Sequence, residues 1–504
     1  MFIDARRVAD SQVIESDVCI VGAGAAGISL ALEFADTATR VCLLEAGGFE
    51  FDEKTQALNK GKVTGRQYHD LMSARLRFFG GTTNHWHGWC RPLDEIDFEK
   101  RAYIPHSGWP ITLDDLNPYY GKARELCELN YSEGMGKQEI ASADLPSFVT
   151  DRLPEDNRAT YSLWQVSPPT RFGPKYRDRI EASDNIHAYL YANVVEIETN
   201  DEGTRVTRLR VATLEGSQLW IQAGHFVLAG GGIEVPRLLL ASNAKKPAGI
   251  GNDYDQVGRY FMLHPHLWVG RILTTVPVGD LVDQRIGKNW KQKPVKVGIS
   301  LTSEFQHSER LPNHVMLLRE TPEKKTSDGL VSLVTAMADK MYNKLMGKPD
   351  VHSIRVLLWL DHMPNPDSRV TLGTESDALG MPRPVLDWRL SPGEKQQVRR
   401  TVESFGQVLG ALGAGRLQLE DWLATEDDSW PKTIEGDYHH MGGTRMSDDP
   451  RHGVVDANCR VHDTDNLYVA SSSVFTTAGS SNPTLTIVAM ALRLADHIKR
   501  AINS

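Results

Sequence analysis

The stretch Asp17–Glu45, DVCIVGAGAAGISLALEFADTATRVCLLE, decides the fold of this 504-residue chain. Its first apolar run, Val18–Val21, is typical of a buried parallel strand. Glycines spaced G-x-G-x-x-G follow, then a helical pattern, then a second apolar run that ends on Glu45. This order is that of a β-α-β unit, and it predicts an α/β fold with a doubly wound sheet.

Each glycine of the first unit has its own mechanical role. Gly22 permits the tight turn, Gly24 lets a pyrophosphate approach the backbone, and Gly27 lets helix and strand pack closely. The N-terminus of the helix offers free N–H groups to phosphates. Glu45, at the end of the second strand, can accept hydrogen bonds from ribose hydroxyls. Together these features predict a dinucleotide site rather than a chance glycine-rich turn.

Composition argues against several classes of partner. The formal net charge of -9 argues against nucleic acids and anionic membranes. No apolar run approaches the length of a membrane span, and the opening MFIDARRVAD lacks the apolar core of a secretory signal. The five cysteines are scattered, which is typical of a reduced protein rather than a disulfide framework. We therefore predict a cytoplasmic protein with no nucleic-acid and no membrane partner.

Two intimately packed domains are expected from the length of the chain. The remainder of the chain, outside the nucleotide-binding segments, alternates strand-like stretches with irregular ones, which predicts a mainly antiparallel sheet. We predict a nucleotide-binding domain from residues 1–100, 186–260 and 434–504, and a substrate-binding domain from residues 101–185 and 261–433.

Helices and loops outside the first unit are predicted from local patterns. A capping-box spacing predicts a helix from Pro110 to about Leu129. An N-cap serine followed by proline predicts another over Ser391–Leu412. Leu330–Met346 has helical spacing and is interpreted as a surface helix, with a lid or an oligomer contact as alternatives. Residues 130–185 carry five prolines and are expected to be rich in loops.

Two further stretches suit a close approach of backbone to a cofactor. Residues 76–98, LRFFGGTTNHWHGWCRPLDEIDF, place a glycine pair before an aromatic cluster. This composition is typical of a loop laid against a flat ring system, and a tight turn capped by core tryptophans is the alternative. The buried run His225–Ala229 delivers Gly230 and Gly231 to the start of a helix, which repeats the logic of the first motif.

The C-terminal block contains residues that could carry chemistry. His439 and His440 precede a glycine turn, and Asn482 and Pro483 open an apolar helix at Leu485–Ile498. Proline at the first helical position would make the asparagine the N-cap. If the dinucleotide is a flavin, a helix N-terminus here would stabilise negative charge on its reduced form. A neutral imidazole beside the amide could take a hydroxyl proton while hydride leaves the carbon. By itself, however, this spacing more often indicates two loop histidines that are hydrogen-bonded and have no catalytic role.

The whole chain resembles the glucose–methanol–choline (GMC) family of FAD oxidoreductases. The resemblance rests on four motifs in the right order, namely GAGAAG, GGTTNHW, AGGGIEVPRLLLAS and the C-terminal block. It looks closest to the pyranose oxidase and glycoside 3-oxidase side, because of the loop GGTTNHWHGW and the terminal SSNPT, where other branches carry a second histidine. The resemblance implies a Rossmann-like FAD-binding domain and a substrate domain with a mainly antiparallel sheet.

The resemblance also implies roles for individual residues. His440 matches the active-site histidine, since it lies four residues before Thr444 in the pattern H-x-x-G-T, and Asn482 matches the second catalytic residue. His439 stays a second candidate for the base or for a substrate contact. His85 aligns with the histidine that carries the flavin covalently in fungal pyranose 2-oxidases, and relatives on the dehydrogenase side keep a histidine there without such a bond. The FAD-binding residues implied are Gly22, Gly24, Gly27, Glu45, Gly81, Asn84, His85, Val195, Gly230, Gly231, Ser472, Pro483 and Thr484.

No metal site is predicted. The histidines at 264 and 266, and those at 69, 85 and 87, have no carboxylate or cysteine partner at a telling spacing. They are interpreted as satisfied loop histidines.

The predicted reaction is FAD-dependent oxidation of a secondary ring hydroxyl, at C2 or C3, of a sugar or glycoside to a ketone. Electrons then pass to O2 or to another acceptor. The main alternative is an FAD-dependent sugar or alcohol dehydrogenase that uses a quinone or a protein as acceptor. A flavin-bearing lyase and a non-enzymatic flavoprotein are further alternatives, and the oligomeric state is left open.

Overall fold

The computed structural model describes residues 1–129, 146–282, 295–320, 351–432 and 434–503. The described strands are β1 (Phe2–Asp4), β2 (Gln12–Val21), β3 (Val41–Leu44), β4 (Lys62–Gly65), β5 (Trp89–Cys90), β6 (Ala159–Val166), β7 (Ile186–Leu190), β8 (Asn193–Thr199), β9 (Val206–Ala212), β10 (Gln218–Leu228), β11 (Pro265–Thr274), β12 (Val295–Leu301), β13 (Val315–Glu320), β14 (His352–Trp359), β15 (Arg369–Ser376), β16 (Pro382–Trp388), β17 (Arg416–Leu419), β18 (Glu435–Gly436) and β19 (Leu467–Val469).

One sheet of eight described strands is built around the first β-α-β unit. Its order is β1-β7-β3-β2-β10-β9-β8, and β19 pairs with β10. The strands from β1 to β10 in this order, together with β19, pair in parallel, whereas β9 and β8 form an antiparallel extension. The arrangement confirms the predicted α/β fold with a Rossmann-like domain.

The turn between β2 and the helix Ala25–Leu32 depends on two of its glycines. Gly22 has a φ of +106°, and a Cβ on it would lie 2.7 Å from the carbonyl oxygen of Ala229 on the neighbouring strand connection. A Cβ on Gly27 would lie 1.8 Å from the carbonyl oxygen of Gly22. Any side chain at either position would therefore push helix and sheet apart.

The second sheet is antiparallel. Its order is β17-β11-β14-β13-β12-β6-β5, with β18 paired to β11, and each of its pairs is antiparallel. One face packs on the helix Glu394–Ala411 through Val398, Val402 and Phe405, which are fully buried. The predicted antiparallel substrate domain is confirmed as an architecture. Its exact boundaries stay a prediction, since β5 and β18 come from segments assigned to the other domain.

The described α-helices have the bounds Ala25–Leu32, Glu53–Gln56, Glu95–Phe98, Asn117–Leu126, Phe172–Glu181, Gly231–Ala241, Val278–Leu281, Ser303–Glu309, Glu394–Ala411, Asp421–Ala424 and Thr484–Asn503. In the described part of the chain, none of the helices combines the length and the apolar character that a membrane crossing requires. The third sheet, β15-β16-β4, has three strands, and its strands β15 and β16 contact the helix Gly231–Ala241.

Three local predictions differ from the structure. The helix expected from Pro110 begins only at Asn117, because the capping-box residues close a separate turn before it. The helix expected from Ser391 begins at Glu394, since Gly393 has a φ of +76° and ends the preceding turn. Residues 130–185 are not only loops: they contain β6 and a helix whose Pro174 sits in the first turn, where proline is tolerated.

Two further helix predictions concern the C-terminal helix and the segment Leu330–Met346. The C-terminal helix begins at Thr484, and the carbonyl of Pro483 accepts its first hydrogen bond from Ile487 N–H at 2.8 Å, so the predicted N-cap is one residue early. The helical pattern at Leu330–Met346 lies outside the described residues.

Candidate functional site

The carboxyl ends of four parallel strands open into one cavity of about 910 Å³. Gly22 follows β2, Glu45 follows β3, Gly230 lies just after β10 and Ala470 follows β19, and all four residues line the cavity. In an open α/β sheet, the crevice at these strand ends is where ligands bind. The cavity extends to the antiparallel sheet, where Trp359 of β14 lines it.

The cavity leaves room for a ligand against bare backbone. A Cβ built on Gly24 or on Gly231 would meet no atom within 4 Å. Glu45 lies beside them, and its two carboxylate oxygens accept hydrogen bonds from Ala23 N–H and Gly47 N–H, both at 3.0 Å. Burial raises the pKa of Glu45, although these two backbone donors oppose the shift. These residues fit the ADP half of FAD.

Two alanine variants of the same loop should separate cofactor binding from folding. Gly24 has a φ of −84°, which alanine also adopts, so Gly24→Ala is expected to fold normally. It is expected to lose FAD, because its methyl group would occupy space in the cavity where the cofactor would lie. Gly27→Ala is expected to lower the melting temperature of the protein itself, because its Cβ has no space. The flavin-to-protein ratio and the melting curve of flavin-free protein check both. A Gly24→Ala protein with full flavin content would contradict the assignment.

Most of the predicted FAD-binding residues line the cavity, and three do not. Gly27 packs the helix onto the turn. The Asn84 amide donates to two backbone carbonyls of its own loop, both at 3.0 Å, and so shapes the loop rather than facing the cavity. Val195 is buried in the protein core, whereas its neighbour Val194 lines the cavity. Successive strand residues face opposite sides, so a shift of one residue changes the face.

A buried group of charges in the cavity wall was missed by the sequence analysis. Glu234 accepts from Arg75 at 2.5 Å, lies 2.9 Å from Arg77 and accepts from Arg237 at 3.1 Å. Arg237 also donates to Asp377 at 2.6 Å. Burial alone would raise the pKa of Glu234, but the three guanidinium groups hold it well below its usual range. The group joins three separate segments, around Arg75, Glu234 and Asp377, and no local motif connects them.

The structure brings Asn482 to His439, not to His440. Nε2 of His439 lies 3.3 Å from the Asn482 amide nitrogen, and both residues line the cavity. The side-chain amide oxygen Oδ1 of Asn482 is buried and has no hydrogen-bond partner among the described residues. Burial lowers the pKa of both histidines below the ordinary value. Both imidazoles are therefore neutral near pH 7.

The ring of His440 has a different partner, Tyr68. The Tyr68 hydroxyl donates its single hydrogen to the carbonyl oxygen of Asp437 at 3.0 Å. Its oxygen then accepts from Nε2 of His440 at 2.8 Å. The backbone carbonyl of His440 accepts from Ser472 Oγ at 2.6 Å. His440 thus lines the cavity as part of a fixed loop, with Nε2 already protonated.

A doubled pattern in the sequence explains why the two histidines are hard to separate. His439 and Gly442 match H-x-x-G, and so do His440 and Gly443. Only the second match is followed by Thr444, which is why the resemblance favoured His440. That role stays a prediction from the motif, while the contacts favour the neighbouring histidine, which the sequence analysis kept as a second candidate.

Three further polar side chains surround His439. His264 Nδ1 lies 3.0 Å from His439 Nδ1, and Asp437 Oδ2 lies 3.4 Å from the same atom. Asp437 Oδ2 also lies 3.1 Å from Nε2 of His266, whose ring stacks on Trp359. Among the described residues, no group of three or more histidine, cysteine or acidic side chains is arranged to hold a metal ion.

His85 lies in the cavity wall, as the loop prediction required. Its ring stacks on Tyr438 with centroids 5.5 Å apart, and its buried Nε2 has no hydrogen-bond partner in the described part of the chain. A covalent bond from this atom to the flavin stays a prediction of the resemblance. Acid precipitation decides it, because a covalent flavin stays in the pellet and a non-covalent one leaves with the supernatant.

Comparison with known protein families identifies the class. Residues 17–266 match the family model "FAD dependent oxidoreductase", and residues 364–491 match "GMC oxidoreductase". The chain is an FAD-dependent oxidoreductase, which agrees with the glycine-lined cavity described above. The two matches together support membership of the GMC oxidoreductase family.

Similar proteins and structures cover most of the chain. The fructose dehydrogenase large subunit of Gluconobacter japonicus is 23% identical over 97% of this chain and 98% of that protein. Pyranose 2-oxidase of Tricholoma matsutake is 29% identical over 60% of this chain and 51% of that protein. The crystal structure of a formate oxidase superposes with a TM-score of 0.59 at 17% identity, covering 98% of this chain and 99% of the other. This last likeness shows the fold.

Proposed function

We propose that this enzyme oxidises a secondary ring hydroxyl of a sugar or glycoside, at C2 or C3, to a ketone. FAD, when bound, supplies the hydride acceptor for this chemistry. The observation that carries the proposal is the contact between Nε2 of His439 and the amide of Asn482 at the cavity wall. A base beside an amide suits a hydroxyl: the imidazole takes the proton and the amide holds the oxygen.

The free amide oxygen of Asn482 supports a substrate at this point. Buried polar atoms in folded proteins are nearly all hydrogen-bonded, and this oxygen has no partner among the described residues. A substrate hydroxyl in the cavity would supply the missing partner. His440 is disfavoured as the base, because its Nε2 already donates to Tyr68.

The lining of the cavity supports a sugar-sized substrate. Trp89, Trp359 and Tyr438 present aromatic rings, and His87 and His266 add polar atoms among them. Tyr438 is 40% exposed and therefore lies at the mouth. A sugar ring has apolar C–H faces and hydroxyl groups on its edges, which matches this mixture of flat apolar rings and hydrogen-bonding groups. Two of the similar proteins are named for fructose and for pyranoses.

A second candidate function differs only in the electron acceptor. The fructose dehydrogenase large subunit is similar over nearly the whole chain, which favours a dehydrogenase that passes electrons to a quinone or a protein. Reoxidation distinguishes the two candidates. Rapid return of the flavin bands in air supports an oxidase, and slow return in air with rapid return on adding a quinone supports the dehydrogenase.

Deuterated substrates test which carbon loses hydride. Anaerobic flavin reduction would be followed with D-glucose and methyl glucosides carrying deuterium at C1, C2, C3 or C6. We expect a primary isotope effect for deuterium at C2 or at C3, together with a ketone product at the same carbon. An isotope effect only at C1 or C6 would overturn the assignment to a secondary ring hydroxyl.

A further inference from the structure

A backbone carbonyl fixes the protonation of a buried histidine beside the proposed base. His264 is buried, and its Nε2 lies 3.2 Å from the carbonyl oxygen of Ala478. A carbonyl oxygen only accepts hydrogen bonds, so His264 must carry a hydrogen on Nε2. The next residue, Gly479, donates its N–H to Asp361 at 2.9 Å, which holds this stretch of backbone in place.

The second nitrogen of His264 then acts as an acceptor. A neutral imidazole has one donor and one acceptor nitrogen, so Nδ1 of His264 carries a lone pair. This atom lies 3.0 Å from Nδ1 of His439. The hydrogen bond between the two rings therefore requires that His439 donate from its own Nδ1.

Asp437 favours the same position for the hydrogen on the ring of His439. Its Oδ2 lies 3.4 Å from Nδ1 of His439 and 3.1 Å from Nε2 of His266. An ionised carboxylate has no hydrogen to donate, so it can only accept hydrogen bonds. Nδ1 of His439 thus faces two acceptors, His264 and Asp437, and both favour a hydrogen on that atom.

We infer that His264 and Asp437 are positioning residues that fix His439 in the tautomer with hydrogen on Nδ1, which leaves the lone pair of Nε2 facing the cavity. The inference rests on the proposed function of His439 as base. The other tautomer would set two lone pairs against each other between the rings and another against the Asp437 carboxylate. With the inferred tautomer, the contact from the Asn482 amide to Nε2 is also a donor–acceptor pair.

Burial and charge agree with this assignment. Burial lowers the pKa of His264 to about 3, so that ring stays neutral. Burial also lowers the pKa of His439, while Asp437 opposes the shift. Burial alone would raise the pKa of Asp437, but the imidazoles of His439 and His266 hold it well below its usual range. After proton transfer, the ionised Asp437 would stabilise the imidazolium, as a carboxylate does behind a general-base histidine.

Neutron diffraction on crystals of the deuterated holoenzyme tests the tautomer without any substrate. We expect deuterium on Nδ1 of His439 and on Nε2 of His264, with Nε2 of His439 bare. Deuterium on Nε2 of His439, alone or together with Nδ1, would overturn the inference. Because no turnover is involved, this result stands even if no sugar reduces the flavin.

Kinetics on variants provide an independent test. The charged and titratable groups that face His439 are Asp437, His264, His266 and His87. Asp437→Asn removes the negative charge that stabilises the imidazolium and replaces the carboxylate by an amide that can donate as well as accept, so we expect anaerobic flavin reduction by D-fructose or D-glucose to slow by about 10²-fold. The acid limb of the rate should move to lower pH, because a negative charge that favoured the imidazolium is gone. An unchanged rate and pH profile would overturn the role of Asp437.

The role of His264 needs a conservative and a disruptive substitution. His264→Asn keeps an acceptor near the position of Nδ1, and we expect it to retain most of the rate. His264→Phe keeps the volume and removes the acceptor, and we expect a slower reduction with an unchanged KM. Equal losses in both variants would show packing alone and would overturn the inference. Asp367→Asn, an exposed carboxylate, serves as the control and should behave as wild type.

Discussion

Replacing His439 with alanine is expected to slow anaerobic flavin reduction by about 10²- to 10⁴-fold, the range that a general base contributes. The reason is geometric: its Nε2 lies beside the Asn482 amide at the cavity wall. Flavin content should stay near that of wild type, because the ring lines the cavity and is not part of a main core cluster. A modest fall in melting temperature is expected, since His264 and Asp437 each lose a partner. Stopped-flow reduction by a sugar that bleaches the wild type gives the measurement.

His440→Ala is the matched comparison for this result. The two rings are adjacent in sequence and both line the cavity, but the ring of His440 is bonded to Tyr68. Losing that hydrogen bond is expected to cost about 1 kcal/mol of stability and to keep the reduction rate close to that of wild type. If His440→Ala abolished reduction while His439→Ala did not, the base would be His440, as the H-x-x-G-T motif indicates.

Glu234→Gln is expected to lower the free energy of unfolding by about 3 kcal/mol or more, the size found when one partner of a buried ion pair is removed. The substitution keeps the shape of the side chain but removes the carboxylate that Arg75, Arg77 and Arg237 share, and of these three arginines Arg237 also pairs with Asp377. Denaturant unfolding of flavin-free protein measures the loss without a contribution from the cofactor.

The pH dependence of this effect has a definite sign. The pKa of Glu234 in the folded protein lies below that of an ordinary glutamate, which titrates at pH ~4.3. Its stabilising contribution is therefore complete above that pH and is lost as pH falls towards the folded pKa. The difference between wild type and Glu234→Gln should shrink in that acid range. Glu403→Gln, which breaks a surface pair with Arg399, is the control and should leave the unfolding transition unchanged. Equal effects from both variants would contradict the account.

The first β-α-β unit could be predicted because its signal is local. Gly22 has a positive φ in the turn, and a Cβ on Gly27 would meet the carbonyl oxygen of Gly22, so both requirements are local, and the flanking apolar runs mark the strands. The antiparallel sheet could be predicted only as a type, since its strand order depends on pairings between distant segments. Some elements carry no strong local signal. The helix Phe172–Glu181, which follows two prolines, is one of them, and its segment was expected to be loop.

In the candidate site, too, the residues of local motifs could be predicted and the contacts set by tertiary packing could not. Glycines and Glu45 were found because their spacing carries the chemistry. The choice between His439 and His440 could not be made, because the doubled glycine lets H-x-x-G match twice and only the fold shows which ring meets Asn482. Arg75, Arg77 and Asp377 reach the group around Glu234 from other segments, and His264 and Asn482 reach His439 in the same way. Their partners are set by tertiary packing, which no local pattern records.

The measurement that tests the account most directly is the anaerobic visible spectrum of the purified protein, before and after adding D-fructose, D-glucose, methyl glycosides and simple secondary alcohols in turn. The account expects flavin absorption bands that bleach with at least one sugar or glycoside. Bands that persist with every sugar and glycoside, or that bleach only with a simple alcohol, would contradict the proposed substrate class.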